Sequence, residues 1–343
     1  MVALVLQGVK PEAYLVEEFN PAGFEELHVD RVVEVPVGVE FVEADFYGVL
    51  VVHVHDASRY RVTFGAVSDD LNIELHVESF GPVDGQSVLL LAGADSPCTR
   101  WSPGLIDPLV AAGYRVVRFD TRDSGLSTKV PSSVGYTLED LAADAVGVLD
   151  GEGLVSAHVV GRSMGGMVGQ VLALDYPERV RSLTLVGSSP GLGDERLPPA
   201  EDTLVDCMAE RLFSPPPVSH VDKVSWVVEL DRLLAGSRYA FEEEAAVLRA
   251  DAEVRSCWYP ESGHGPAVNS SPSRLDRLGE ISVRTLVVHG TADPVFPVGH
   301  ATAFLEGILG AELWLVEDLG HELPDAALPD LLPRLLAHFS STD

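Results

Sequence analysis

Positive charge is scarce in this chain. Across 343 residues, 23 Lys and Arg face 53 Asp and Glu, a formal net charge of −30, and only Lys10, Lys129 and Lys223 are lysines. A field of that sign repels phosphate backbones and no local Lys/Arg cluster offsets it, so nucleic acid is not an expected partner. Cysteine is scarce too. Cys98, Cys207 and Cys257 are too few and too scattered for a disulfide framework or a zinc site, and no metal is expected. No run approaches the ~18–20 apolar residues that a membrane-crossing helix needs. The first residues, Met1–Gln7, lack the basic stretch that opens an export signal. The expectation is a cytoplasmic chain without a membrane partner. Against these absences, 46% apolar and 22% charged residues are ordinary for a folded protein, which excludes global disorder.

The length exceeds the ~250–300 residues that one hydrophobic core organises, so a large domain with an arm or insertion is expected. Residues 1–65 form a β-rich N-terminal extension in this reading. The stretches Arg31–Val37 and Phe46–His55 are β-branched, short and broken by Pro or Gly, which favours strands. The arm is expected to be an extra β-layer, or an element through which a homodimer forms, rather than a separate binding module. From residue 71 short apolar runs recur at Ile73–Phe80, Ser87–Leu91, Tyr114–Phe119, Ala157–Val160, Ser182–Val186, Thr285–Val288 and Glu312–Val316. Helical stretches separate most of them: Thr137–Leu149, Ser163–Tyr176, Ala301–Leu309 and Asp325–Phe339. Strands covered on both faces lose their polar alternation, and strand–helix alternation argues a doubly wound, mostly parallel α/β sheet. The first two runs follow each other closely enough to pair antiparallel. The rhythm breaks between 188 and 281, where two helices (Val221–Leu234 and Phe241–Ala250) and the Ser214-Pro-Pro-Pro run suggest a helical cap. The expected core is therefore 66–187 with 282–343.

The sharpest local signal is Gly161-Arg162-Ser163-Met164-Gly165. The match alone is weak, but it follows a strand and opens an apolar helix. At such an elbow the serine backbone is strained and its hydroxyl is pushed out at the sheet's carboxyl edge. A serine hydroxyl is a poor nucleophile until a histidine takes its proton and an acid orients that histidine. Downstream, Thr285–Val288 runs into Asp293 and Glu312–Val316 runs towards His321. Three candidates, each just past a strand and in the order Ser, acid, His, make chance a poor explanation. Asp318 is expected to shape the loop before His321, His289 to serve the turn before Asp293, and His264 to be a solvated loop histidine. His53 and His55 would share one strand face, yet no third ligand follows at a suitable spacing. Two amides must hold the oxyanion of an acyl-transfer intermediate. Met164, after the serine, is one; Ala94, in the loop after Leu91 that Gly93 allows to turn tightly, is expected to be the other.

Residues from about 71 to 340 resemble the α/β-hydrolase fold superfamily, and within it the branch of aclacinomycin methylesterase and related polyketide esterases. The resemblance rests on Val116–Ser127 (with Asp120, Arg122, Gly125 and Ser127), Leu141–Asp150, His158–Gly166 and Trp101. It implies a Ser-His-Asp triad at Ser163, Asp293 and His321, hydrolysis of a carboxylic ester or lactone through an acyl-enzyme, a helical cap, and no cofactor. Two departures stand out: Ala92-Gly93 where many relatives carry His-Gly, and residues 1–65, which match nothing in the family. The same scaffold also serves carbon–carbon bond hydrolases and cofactor-free peroxidases, and an intact triad can sit in a non-catalytic ligand-binding protein. A small-molecule substrate is expected near Trp101, Arg162, Trp226 and Trp258, although cap packing is the stronger expectation for any single aromatic.

Overall fold

The computed structural model describes residues 51–54, 59–68 and 71–340; the expected strand at Arg31–Val37 and the residue His55 lie outside them. The apolar runs become strands β3 (Leu71–Phe80), β4 (Ser87–Leu91), β5 (Arg115–Phe119), β6 (Ala157–Arg162), β7 (Val180–Val186), β8 (Thr285–Gly290) and β9 (Glu312–Val316), preceded by β1 (Val51–Val54) and β2 (Arg59–Ser68). Their order across the sheet is β1-β2-β3-β5-β4-β6-β7-β8-β9. From β5 to β9 all pairings are parallel, whereas β1, β2 and β3 run antiparallel, with β3 against β5. Strand β2 passes through residue 65, where the arm was expected to end.

The expected pairing of β3 with β4 is therefore incorrect. β3 pairs with β5, Val77 to Phe80 opposite Phe119 to Val116, and β5 lies between the two. The chain leaves β3 at Gly81, which has φ +90 and lies so close beneath Tyr114 that a Cβ there would be 2.5 Å from its carbonyl oxygen. Only glycine lets the chain duck under the end of β5 and enter β4 on its far side.

Alternation along each strand divides the core in two. Leu89 and Leu91 of β4 join one cluster with α2 (Leu138–Gly151), α3 (Met164–Asp175) and α8 (Gly299–Gly307). Val88 and Leu90 join the other with α1 (Pro103–Ala111) and α9 (Leu328–Ser340). β4 is buried at all five positions, as a strand covered on both faces must be. Between β7 and β8 the chain forms four helices: α4 (Asp202–Phe213), α5 (His220–Leu234), α6 (Glu243–Ser256) and α7 (His264–Ser270). α5 and α6 match the two expected helices and pack through their own small core of Val224, Val228, Ala246, Ala250 and Val254. α4 carries no sequence signal because it buries only Leu204 and leaves Val205, Met208, Leu212 and Phe213 exposed. No helix among the described residues is long and apolar enough to cross a membrane.

Candidate active site

Ser163 sits between β6 and α3 with φ 54 and ψ −120, a conformation that costs a non-glycine residue about 1–3 kcal/mol. The surrounding packing holds it there. A Cβ at Gly161 would be 2.3 Å from the Gly165 carbonyl oxygen, and one at Gly165 would be 2.2 Å from that of Leu91. These glycines let α3 rise directly from the strand, against β4. The Ser163 N–H donates to Val186 O of β7 at 2.9 Å, and the Gly166 N–H donates back to Ser163 O at 2.9 Å. Met164 supplies the first amide of α3, whose opening N–H groups have no partner within the helix. Gly93 lies across the elbow: a Cβ added to it would be 3.4 Å from Ser163 Cβ. The Gly93–Ser96 loop therefore passes over the serine, and the exposed Ala94 follows at its tip.

Asp293 and His321 meet at the neighbouring strand ends. The loop after β8 folds so that Asp293 Oδ1 accepts the N–H groups of Val295 and Phe296, both at 2.9 Å. Its other oxygen accepts His321 Nδ1–H at 2.8 Å. Both side chains are buried. Burial alone would raise the Asp293 carboxyl, but the charge and hydrogen bond of His321 outweigh it and hold the group below the usual range. With Nδ1 committed to the acid, the imidazole's Nε2 is left to act as the base. His289 serves the turn, as expected: its Nε2–H donates to Phe296 O at 2.6 Å, and burial pushes its ring towards the neutral form. The serine and the Asp293–His321 pair are neighbours through two links. Gly187 follows the residue that accepts the Ser163 amide, and a Cβ on it would be 3.3 Å from His321 Nδ1 and 3.4 Å from Asp293 Oδ2. Arg162, just before the serine, ion-pairs with Glu322, just after the histidine.

Asp318 takes a positive φ of 58 and shapes the loop before His321, its carbonyl accepting the amides of Ser237 and Arg238 at 2.9 and 2.8 Å. His264 overturns its expectation. It is buried, not solvated, with Nδ1 accepting the Asp95 amide at 2.9 Å and Nε2 facing the Thr121 hydroxyl at 3.2 Å. It thus fastens α7 to the loop that carries Ala94. The Asp120–Ser127 stretch is scaffolding of the same kind. Asp120 accepts the amides of Cys98 (2.6 Å) and Leu126 (2.8 Å). Asp123 accepts Val130 N–H, Tyr136 O–H and the Gly263 N–H of the insertion.

Trp101 and Arg162 line a cavity of about 310 Å³ between the core and α5–α6, with Ala92, Phe241, Glu322 and Leu323 among its other walls. Ser163, Asp293 and His321 do not line it; it touches the site through their neighbours Arg162 and Glu322. Trp226 and Trp258 are not among its walls either. Arg211 stacks over the ring of Trp226, and Trp258 packs against the α5–α6 core because both belong to the insertion's own packing. What sequence reading missed is the charged wall of the cavity. Arg100 pairs with Asp231 of α5 and Glu253 of α6, Arg249 pairs with Asp231, and Arg162 pairs with Glu322. Glu322 was visible beside His321, but its nearer partner in sequence, Arg162, lies 160 residues away, where no spacing rule reaches.

Among the described residues, His76, Glu78 and Cys98 bring metal-ligating atoms within 4.8 Å of one another. Glu78, however, is committed to Arg118, so a cation there would have to share its carboxylate with a guanidinium. The three cysteines are free thiols.

A family profile described as alpha/beta hydrolase fold matches residues 88–216. Rhodomycin D methylesterase of Streptomyces peucetius is 30% identical over 287 residues, covering 78% of this chain and 95% of its own length. A 2-hydroxy-6-oxononadienedioate/2-hydroxy-6-oxononatrienedioate hydrolase of Klebsiella pneumoniae is 29% identical over 279 residues, 76% of this chain and 91% of its own. Among solved structures, an esterase of Rhodococcus sp. ECU1013 superposes with a TM-score of 0.68 at 22% identity, covering 82% of this chain and 99% of the esterase.

Proposed function

This chain belongs to the alpha/beta hydrolase fold family and is a hydrolase acting on esters, and from that premise we propose that Ser163, His321 and Asp293 cleave a carboxylic ester or lactone through an acyl-enzyme. The observation that carries the reading is the 2.8 Å contact between Asp293 and His321 beside the strained serine elbow. Ser163 Oγ attacks the carbonyl carbon while His321 Nε2 takes its proton, and Asp293 keeps the ring in the tautomer that leaves Nε2 free. The amides of Met164 and Ala94 hold the oxyanion, each contributing about 10²–10³ in rate. His321 then protonates the departing alkoxide, and water, activated by the same ring, releases the acid. The helical insertion acts as a cap that excludes bulk water.

The cavity's walls favour an uncharged substrate. Arg100, Arg162 and Arg249 are each already paired with a carboxylate, so none stands ready to bind an anion without breaking an existing ion pair. That argues against the dicarboxylate named for the Klebsiella relative and favours the methylesterase comparison. Trp101, Phe241 and Leu323 supply apolar wall for the acyl or alcohol part.

Labelling with a fluorophosphonate tests the assignment. The wild type is expected to take up one label and Ser163→Ala none; equal labelling of both proteins rejects the serine. Turnover of p-nitrophenyl esters and a lactone, set against a vinylogous diketone, separates ester chemistry from carbon–carbon cleavage.

A further inference from the structure

Two of the catalytic groups proposed above adjoin one ion network: Arg162 precedes Ser163 and Glu322 follows His321. Glu322 directly follows His321. Its carboxylate bonds to Arg162, the residue before Ser163, and lies 3.8 Å from Arg100. Its backbone is held as well: the amides of His321 and Glu322 both donate to Leu234 O, at 2.7 and 3.1 Å, and the Gly320 amide donates to Ala235 O at 3.2 Å. These acceptors end helix α5, whose last carbonyls have no partner within the helix. The histidine loop is thus pinned to the insertion through its main chain and to the nucleophile elbow through one side chain.

We propose that Glu322 is a positioning residue for His321, setting the orientation of its loop and stabilising the imidazolium that forms during acyl transfer. The role rests on the Ser163–His321–Asp293 reading. A carboxylate near the ring favours its protonated form, and a guanidinium disfavours it. Although burial opposes ionisation of Glu322, Arg162 and Arg100 hold its carboxyl down to about 2, so the residue is an anion throughout the working pH range. Five other groups surround the ring and Glu322. Asp293 contacts Nδ1, and His289 of β8 lies 3.7 Å from the same carboxylate. Arg162 of β6 and Arg100 of the loop before α1 stand behind Glu322. Phe296 presents an uncharged ring at 5.5 Å.

Opposite charges on neighbouring residues make the test a matter of sign. Glu322→Gln removes the anion and leaves two cations, so the acidic limb of the kcat/KM–pH profile moves to lower pH by roughly half a unit or more, and kcat falls more than KM rises. Arg162→Gln leaves the anion under-compensated, and the limb moves to higher pH. The double variant Arg162→Gln/Glu322→Gln returns the limb towards its wild-type position. It also keeps the assay readable if an unpaired Arg162 prevents Glu322→Gln from folding. Glu322→Asp is expected to recover part of kcat. A limb that stays fixed in Arg162→Gln and the double variant, or moves the same way in all, while only melting temperature changes, overturns the proposal. Absence of ester turnover by the wild type would instead strike at the hydrolase reading itself.

Discussion

Gly187 shows how much can depend on a missing methyl group. It directly follows β7 with φ +49, and a Cβ added to it would meet both partners of the Asp293–His321 pair. Alanine there would carry the ~1–2 kcal/mol cost of a left-handed backbone and place carbon against the His321–Asp293 hydrogen bond. Gly187→Ala is expected to lower kcat by about 10–100-fold, since a displacement near 1 Å at a reacting centre costs about 10²-fold, while KM changes little. Steady-state kinetics on a p-nitrophenyl ester, with circular dichroism to confirm folding, checks this. The serine elbow and the Asp293–His321 contact were legible in the sequence because each residue follows an apolar strand and each strand ends at the same rim of the sheet. Gly187 was not, since a glycine after a strand carries no mark of what faces it. His264 was misjudged for a related reason: its partners, Asp95 and Thr121, are remote in sequence, and a polar loop residue reads as solvated until its contacts are known.

Elements were legible to the extent that they bury a continuous face. β4, buried at every position, falls at the expected residues, and α2 begins where Thr137 and Asp140 form a reciprocal cap. α4 escaped because one buried leucine makes no stripe. The pairing of β3 failed because sequence proximity favours adjacent strands, and nothing short of the Gly81 crossing reveals that β5 intervenes. The link between α2 and the loop after β5 is a further case of hidden long-range order. Arg122 grips Asp144 of α2 through two hydrogen bonds of 2.7 and 2.6 Å, both side chains being 5% exposed. Asp144→Ala would strand a buried guanidinium and is expected to destabilise the fold by ~3–5 kcal/mol. Replacing both by apolar residues of similar volume should cost far less. Urea unfolding of the two variants makes the comparison.

At the scale of the whole molecule, acid stability is set by groups of two kinds. Burial, against a weaker pull from the Leu183 carbonyl, depresses His338 from 6.5 to about 4, so the unfolded chain takes a proton that the folded one refuses. Its contribution is complete above pH 6.5 and is lost as pH falls through 4. Glu78 and Glu322 are lowered from 4.5 to about 2, their arginine and histidine partners outweighing burial; their contribution is complete above 4.5 and is lost on the way to 2. The melting temperature is therefore expected to decline in two stages, gently from pH 6.5 and steeply below 4.5. Thermal melts across pH 7 to 3 check it, and a flat profile down to 4.5 would contradict the buried-histidine stage. The carbonyl oxygen of Leu234 has its own bearing on how such chains diversify. Because the amides of His321 and Glu322 converge on that one atom at the tip of α5, the helical insertion and the histidine loop of this chain cannot be altered as independent parts. Any replacement for the insertion would have to bring a final turn that ends at the same point in space, or the loop that carries His321 loses its seat.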